Sequence, residues 1–179
     1  MTLPLLTTDR LFLRQRHEND IPAILRMDLE PEVMRFLDGP RTDTAAHAEE
    51  IRTRIPKDFG PGLGYWSVFP RDHPEDFLGY VSLHVMPDYE EVELGYRFWR
   101  AARGRGFATE AAAACLDHAF GTLALPEVVA VVDSDNRGSQ RVIAKLGFRA
   151  AGRRQAYRKD LLFYRLERTW YRSGRVSEQ

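Results

Sequence analysis

Apolar and polar positions change their period several times along the chain, and each change marks an element. The segment Arg10-Leu11-Phe12-Leu13-Arg14 predicts a short strand, and Asn19-Asp20-Ile21-Pro22 supplies a helix cap with proline placed early, where its missing N–H matters least. From Pro31 to Ile55 the pattern is helical, with Val33, Met34, Phe36 and Leu37 on one side. Asp38-Gly39-Pro40 breaks this stretch in two, and Thr44 is the expected cap of its second half. Gly60-Pro61-Gly62-Leu63-Gly64 is a loop. Tyr65 to Phe69, Phe77 to Val85 and Val92 to Phe98 then predict three strands, whose short links at Pro70, Pro74 and Pro87-Asp88 suggest an antiparallel meander.

A helix is expected from about Thr109 to Phe120. The β-branched run Val128-Val129-Ala130-Val131-Val132 is continuous enough to be a buried strand. A second helix near Ser139 to Leu146 stops at Gly147, and two closing strands run from Phe148 to about Trp170. No linker or repeat interrupts the order, so residues 1–172 read as a single α/β domain with a mixed sheet, followed by a frayed tail from Ser173 to Gln179.

Composition supports one core. Apolar residues make up 44% and aromatics 11% of 179 residues, enough to fold alone. Lys and Arg number 26, as do Asp and Glu, so net charge argues against general attraction to nucleic acid or an anionic membrane, and any recognition must be local. The single cysteine, Cys115, lies in the apolar run Ala111 to Leu116 and reads as a small buried thiol with no disulfide partner. Early Asp9 and Arg10 and the lack of a long apolar segment point to neither a signal peptide nor a membrane span, which makes a cytoplasmic location the expectation.

Two stretches carry chemistry. In Arg103-Gly104-Arg105-Gly106-Phe107-Ala108-Thr109-Glu110, two glycines and a small alanine lie between a strand and an apolar helix. Backbone N–H groups can approach an anion there, and the helix adds unsatisfied donors and its positive dipole end, a geometry that suits a pyrophosphate. Taken alone, a Gly-x-Gly at this place is also an ordinary tight turn. No Gly-Lys-Ser/Thr follows, as a Walker loop needs, and the final glycine and ribose-binding acid of a Rossmann fingerprint are missing. The second stretch, Val131 to Ser139, is a strand end entering a helix through a polar turn, where Asn136 or Ser139 serves either as a cap or as a functional group.

Together the two stretches resemble the GCN5-related N-acetyltransferase (GNAT) superfamily, in which Arg-x-x-Gly-x-Gly/Ala holds the CoA pyrophosphate. Asn-x-x-Ser/Ala and a later Gly-Phe follow one strand on. The matching residues are Arg103, Gly106 and Ala108, then Asn136, Ser139 and Gly147-Phe148. The opening Leu6 to Arg14 and the run Glu93-Leu94-Gly95-Tyr96 look like the branch containing the ribosomal-protein (RimJ/RimL-type) N-terminal acetyltransferases, so the resemblance spans nearly the whole chain.

The resemblance implies an α/β (α+β) fold with a central mixed, mostly antiparallel sheet of seven strands, splayed in the middle and flanked by helices. It implies acetyl-CoA as acyl donor, held by Phe98, Trp99, Arg103, Gly104, Arg105, Gly106, Phe107, Ala108, Thr109, Asn136 and Ser139, with no metal. A primary amine would attack the thioester directly in a ternary complex, with the Phe98 N–H on the acetyl carbonyl. Many relatives place a tyrosine four positions beyond the serine to protonate the thiolate; this chain has Ile143 there, which leaves Ser139 as the candidate near the sulfur.

Glu93 is the candidate base. Strand alternation puts Glu93, Gly95 and Arg97 on one face and Leu94, Tyr96 and Phe98 on the other, leaving open which lines the cleft. His84 and His118 read as structural, while Asp160, near a turn between the closing strands, is placed to bind a cationic amine. The acceptor is a protein N-terminus or a small amine such as a polyamine, aminoglycoside or metabolite, and a non-catalytic acyl-CoA sensor is the alternative outside enzymes. Either the closing strands pair across a twofold in a homodimer, or Trp170 and Tyr171 cover the chain's own core in a monomer.

Overall fold

The computed structural model describes residues 2–55, 57 and 59–171, so the expected tail lies outside the described residues. The strands are β1 (Leu6–Thr7), β2 (Leu11–Gln15), β3 (Gly64–Pro70), β4 (Gly79–Val85), β5 (Val92–Phe98), β6 (Glu127–Val132), β7 (Arg149–Ala156) and β8 (Lys159–Glu167). Among the α-helices are α1 (Ile21–Asp28), α2 (Pro31–Met34), α3 (Thr44–Arg54), α4 (Phe107–Asp117) and α5 (Arg137–Lys145). The strands form one eight-stranded sheet in the order β1-β2-β3-β4-β5-β6-β8-β7, against the seven expected. The extra strand is the two-residue β1, too short to leave a periodic signal; it pairs with β2 at Leu6↔Leu13 and Thr7↔Phe12.

Neighbouring strands are antiparallel except β5 and β6, which run parallel because α4 carries the chain across. One register pair, Glu93↔Val129, joins them, whereas β4 and β5 pair over seven positions. The sheet therefore opens between β5 and β6. On one face Leu94, Phe98, Val81 and Leu83 pack against Phe107, Ala111, Ala112, Cys115 and Leu116 of α4, with Ile143 of α5 in the same cluster. The alanines let α4 lie close to the sheet. A separate cluster joins Ile21 and Ile24 of α1 to Ile51 of α3.

Several local expectations shift. Asp43, not Thr44, caps α3 by accepting from the Ala46 N–H at 3.0 Å. Pro22 lies in the first turn of α1, but Asp20 makes no cap bond; its carboxylate takes Arg14, Ser67 and the His17 N–H. Helix α4 starts at Phe107 rather than Thr109, because left-handed Gly106 (φ 82°) is its N-cap, and a π-helical turn, His118–Thr122, extends its far end. β4 begins at Gly79, where any Cβ would come within 2.2 Å of the Arg97 carbonyl oxygen; a side chain there would push β5 away. Cys115 is fully buried, and burial pushes its thiol well up. Trp170 and Tyr171 pack against this chain's own core. Among the described residues no helix is long and apolar enough to cross a membrane.

Candidate active site

The glycine loop leaves the end of β5 through a 3₁₀ turn, Arg100–Ala102, and enters α4. Gly104 and Gly106 both take positive φ, 77° and 82°, so two reversals in three residues bring the backbone round into the helix. The first N–H groups of α4 lack intrahelical acceptors by geometry and face the loop. Phe107 is 4% exposed in the core, so any contribution to a ligand comes from its backbone. Arg10 and Arg105 stack on that ring, at 4.8 and 4.6 Å, and Arg10 is held by Glu110 and the Arg105 carbonyl. Arg103 donates to the Glu32 carbonyl at 3.0 Å, tying the loop to α2. Ala108 and Thr109 are half-buried at the helix start. The Trp99 N–H is taken by the Leu78 carbonyl, and the indole packs between two apolar clusters.

The phase of the β4–β5 ladder decides what faces the open split. Trp99 N–H bonds Leu78 and Met86 N–H bonds Glu91, which places Glu91, Glu93, Gly95, Arg97 and Trp99 in hydrogen-bonded pairs with β4. The backbone groups of Leu94, Tyr96 and Phe98 therefore turn toward β6, where pairing has ended beyond Glu93↔Val129.

Across the split, Asn136 caps α5: its Oδ1 accepts the Ser139 N–H at 3.0 Å, which leaves Nδ2 for other partners. The Ser139 hydroxyl lies 2.7 Å from the Tyr96 hydroxyl. Sequence reading leaves Ser139 as the one hydroxyl near this position; β5 brings a second. Burial pushes Tyr96 up to about 12, so it stays protonated at neutral pH. Ile143, one turn on, is buried in the core and offers no proton.

The two faces of β5 separate as the alternation required. Leu94 and Phe98 enter the core, while Glu93, Gly95 and Arg97 border a cleft of about 340 Å³ between the sheet, α1, α3 and the tip of the β7–β8 hairpin, which continues along the split past Leu94, Tyr96, Asn136 and Ser139. Glu93 is 6% exposed, and burial pushes its carboxyl up to about 7 despite a hydrogen bond from the Tyr157 hydroxyl at 2.5 Å. His84 lies 3.6 Å from the same carboxylate and 3.2 Å from the Tyr157 hydroxyl. Burial, then the positive charges of Arg54 and Lys57, bring His84 down to about 4. It is therefore neutral. Its Nδ1 is buried and has no hydrogen-bond partner among the described residues, so its one ring-nitrogen contact to this cluster is through Nε2.

Tyr157 is the residue that sequence reasoning missed. It forms, with Arg158, the two-residue turn between β7 and β8, and both have positive φ, 51° and 59°, without a glycine. A bulky residue in a left-handed turn persists where other contacts hold it. Here its hydroxyl bonds hold the hairpin tip over Glu93, and Lys159 fixes the same tip by donating to the Leu37 carbonyl at 2.6 Å. A tyrosine at a turn that favours glycine or asparagine is the available sequence signal.

Deeper in the cleft, Asp28 accepts from Arg97 at 2.6 Å and contacts His47 at 2.8 Å. Two sequence expectations move. His84, read as structural, borders the cleft; Asp160, read as an amine site, pairs with Arg153 at 2.7 Å on the exposed hairpin and does not border it. His118 lies elsewhere, 3.0 Å from the Gly62 carbonyl and edge-on to Trp66.

Comparison with known proteins fits this geometry. Residues 10–149 match the family model described as an acetyltransferase (GNAT) domain. The chain is 29% identical over 151 residues to the uncharacterized N-acetyltransferase YoaA of Bacillus subtilis, covering 83% of this chain and 85% of that protein. It superposes on the acetyltransferase of Agrobacterium tumefaciens with a TM-score of 0.79 at 28% identity, over 93% of this chain and 96% of the other. A spermidine N-acetyltransferase from Vibrio cholerae, in complex with CoA and spermine, gives 0.75 at 18% identity over 92% and 99%, a likeness of fold alone. The split sheet, the glycine loop at a helix start and the family match over most of the chain lead to one conclusion: this protein belongs to the GNAT acetyltransferases, enzymes that use an acyl-CoA donor.

Proposed function

We propose that the chain transfers the acetyl group of acetyl-CoA to the primary amine of a small molecule, by direct attack in a ternary complex. The observation that carries this reading is Glu93, a buried carboxyl pushed up to about 7 at the mouth of the split and facing the cleft. A group with that affinity takes a proton from an ammonium and leaves a neutral amine, and its value near the working pH suits a general base.

The loop from Arg103 to Thr109 holds the cofactor pyrophosphate on its backbone N–H groups, with Asn136 beside the cofactor arm. The Phe98 N–H, turned into the split, polarises the thioester carbonyl. One preorganised donor of this kind is worth about 3 kcal/mol as the oxyanion forms. The C–N bond forms, the C–S bond breaks, and the nitrogen releases its remaining excess proton to solvent. The leaving sulfur takes a proton from the Tyr96–Ser139 hydroxyl pair, which solvent then restores and whose separation of 2.7 Å supports one shared donor. Tyr157 and Lys159, the latter tied to the Leu37 carbonyl, hold the hairpin tip over the cleft beside Glu93, an arrangement that favours a small amine over the N-terminus of a folded protein.

A thiol-release assay over an amine panel tests the reading. Glu93→Gln should lose turnover while keeping CoA affinity. Wild-type turnover in a correctly folded Glu93→Gln variant removes Glu93 as base, and absence of thiol release with every amine removes the small-amine reading.

A further inference from the structure

The strongest unexplained charge in the cleft belongs to Arg16, the residue after β2. It is 6% exposed, and among the described residues no carboxylate forms an ion pair with it. Its guanidinium lies between two rings, with Cζ 4.2 Å from Tyr65 and 4.3 Å from Tyr80. Stacking uses the faces of the planar cation, whereas its N–H donors lie in the plane and still need acceptors. Nε and Nη2, which together form the lateral edge of the fork, have none.

Nearby acids are already engaged. Asp20 takes Arg14, Ser67 and the His17 N–H, while Asp28 takes Arg97 and His47. Arg97 lies over the Tyr80 ring at 5.4 Å and works against the charge on Arg16. A buried cation with two unsatisfied donors is costly unless an anion arrives to meet it.

Arg16 borders the cleft that contains Glu93 and also an adjoining cavity of about 200 Å³, where Arg54 and Lys57 add positive charge. A short chain of contacts links it to the proposed base: Arg16 on Tyr65, Tyr65 stacked on His84 at 5.8 Å, and His84 at 3.6 Å from Glu93. Arg16 and Glu93 thus line one and the same cleft.

We propose that the acceptor is an amine that also carries a carboxylate, and that Arg16 selects it by receiving that carboxylate on its Nε and Nη2 edge while the amine is set before Glu93. This rests on the acetyl-transfer reading for the place of the amine, and adds the substrate class. The edge matches a carboxylate bidentately. Both nitrogens are shielded from bulk water, so a neighbouring side chain gives way as the ligand enters, and the pair then forms in a dry setting where a neutral carboxamide is a poor substitute. A polyamine would bring further positive charge toward Arg16 and is disfavoured by it.

The test uses ω-amino carboxylates from glycine to 6-aminohexanoate, their carboxamides, and spermidine, with acetyl-CoA and the full-length protein. The expected result is a preference in kcat/KM of about 10-fold or more for the carboxylate over its carboxamide at the best length, carried mainly by KM. Arg16→Gln should reduce that ratio to near one, and Arg16→Lys should keep part of it. Equal rates within every pair in wild type, or a preference for spermidine, overturns the proposal. So does an unchanged ratio in Arg16→Gln with a lower melting temperature, the pattern of a packing residue.

Binding of the same ligands to the CoA-loaded protein, followed calorimetrically, separates the two readings. Carboxylate binding that depends on Arg16 without any turnover supports the subsite and sinks the acetyl-transfer step; no binding of any carboxylate overturns the subsite. If Arg16→Gln does not fold, Arg16→Lys and the wild-type pairs decide.

Discussion

The glycine loop and the proposed acceptor cleft meet at the same strand and are built in opposite ways. The loop is eight consecutive residues, Arg103 to Glu110, and its chemistry lies in backbone N–H groups shaped by Gly104 and Gly106. The cleft draws Arg16, Asp28, Tyr65, His84, Glu93 and Tyr157 from six separate places in the chain, and its chemistry lies in side chains. A backbone site needs only a local conformation, so glycine spacing announces it. A side-chain site needs a finished sheet.

The largest expected effect breaks the loop. Gly106→Asp forces a residue with a side chain into φ 82°, puts Cβ 3.3 Å from Arg10 and adds negative charge where a pyrophosphate would lie. CoA affinity, measured by calorimetry, should fall by about 100-fold or more. Unchanged affinity in a folded Gly106→Asp protein would refute the loop as the phosphate site.

Next comes the cleft. Glu93→Gln should lower kcat/KM by about 100-fold while CoA binding holds, the converse of the loop variant. Because the proposed base works deprotonated, wild-type kcat/KM should fall as pH drops through about 7, and the variant should lose that limb. Stability follows the opposite course. The folded carboxyl titrates near 7 against 4.5 when unfolded, so both states are protonated below 4.5; between 4.5 and 7 the unfolded chain releases its proton first and wild type loses stability. Melting temperatures of wild type and Glu93→Gln should therefore diverge in favour of the variant from about pH 5 to pH 7. A constant difference across that range argues against a raised Glu93.

Smaller effects sharpen the comparison. Ser139→Ala should lower kcat by about 10-fold or less, with little change in KM for acetyl-CoA, since a thiolate is already a fair leaving group and Tyr96 remains. Wild-type rate with chemistry limiting leaves Ser139 as only part of the α5 start. Tyr157→Phe removes the hydrogen bond that holds Glu93 down, so the acid limb should move to higher pH rather than the plateau collapsing. An unmoved limb means that Tyr157 only fills space. Asp160→Ala should leave kinetics with every amine unchanged, because Asp160 pairs with Arg153 outside the cleft; a raised KM for cationic amines alone would restore it to the acceptor site.

Particular residues show how far sequence reading reaches. The long periodic segments, the meander and the helix-strand-helix order that follows were legible, because a 3.6 or 2.0 period is imposed by a buried face. Helix starts were misplaced by one or two residues where a left-handed glycine or a neighbouring aspartate took the cap, as at Gly106 and Asp43. The strand β1 was missed because two residues carry no period.

By itself the sequence determined the fold class, the split sheet through its family resemblance, the position of the glycine loop and the candidacy of Glu93 and Ser139. Each depends on local pattern or on spacing along the chain. Only the tertiary structure decided that Glu93 and Arg97 border the cleft, that Tyr96 meets Ser139 at 2.7 Å, that Tyr157 reaches Glu93 from 64 residues away, and that Arg16 is buried with no carboxylate in an ion pair among the described residues. The physical reason is that pairing, burial and pKa depend on which side chains the strands bring into contact, and contacts between distant segments leave no period in the chain.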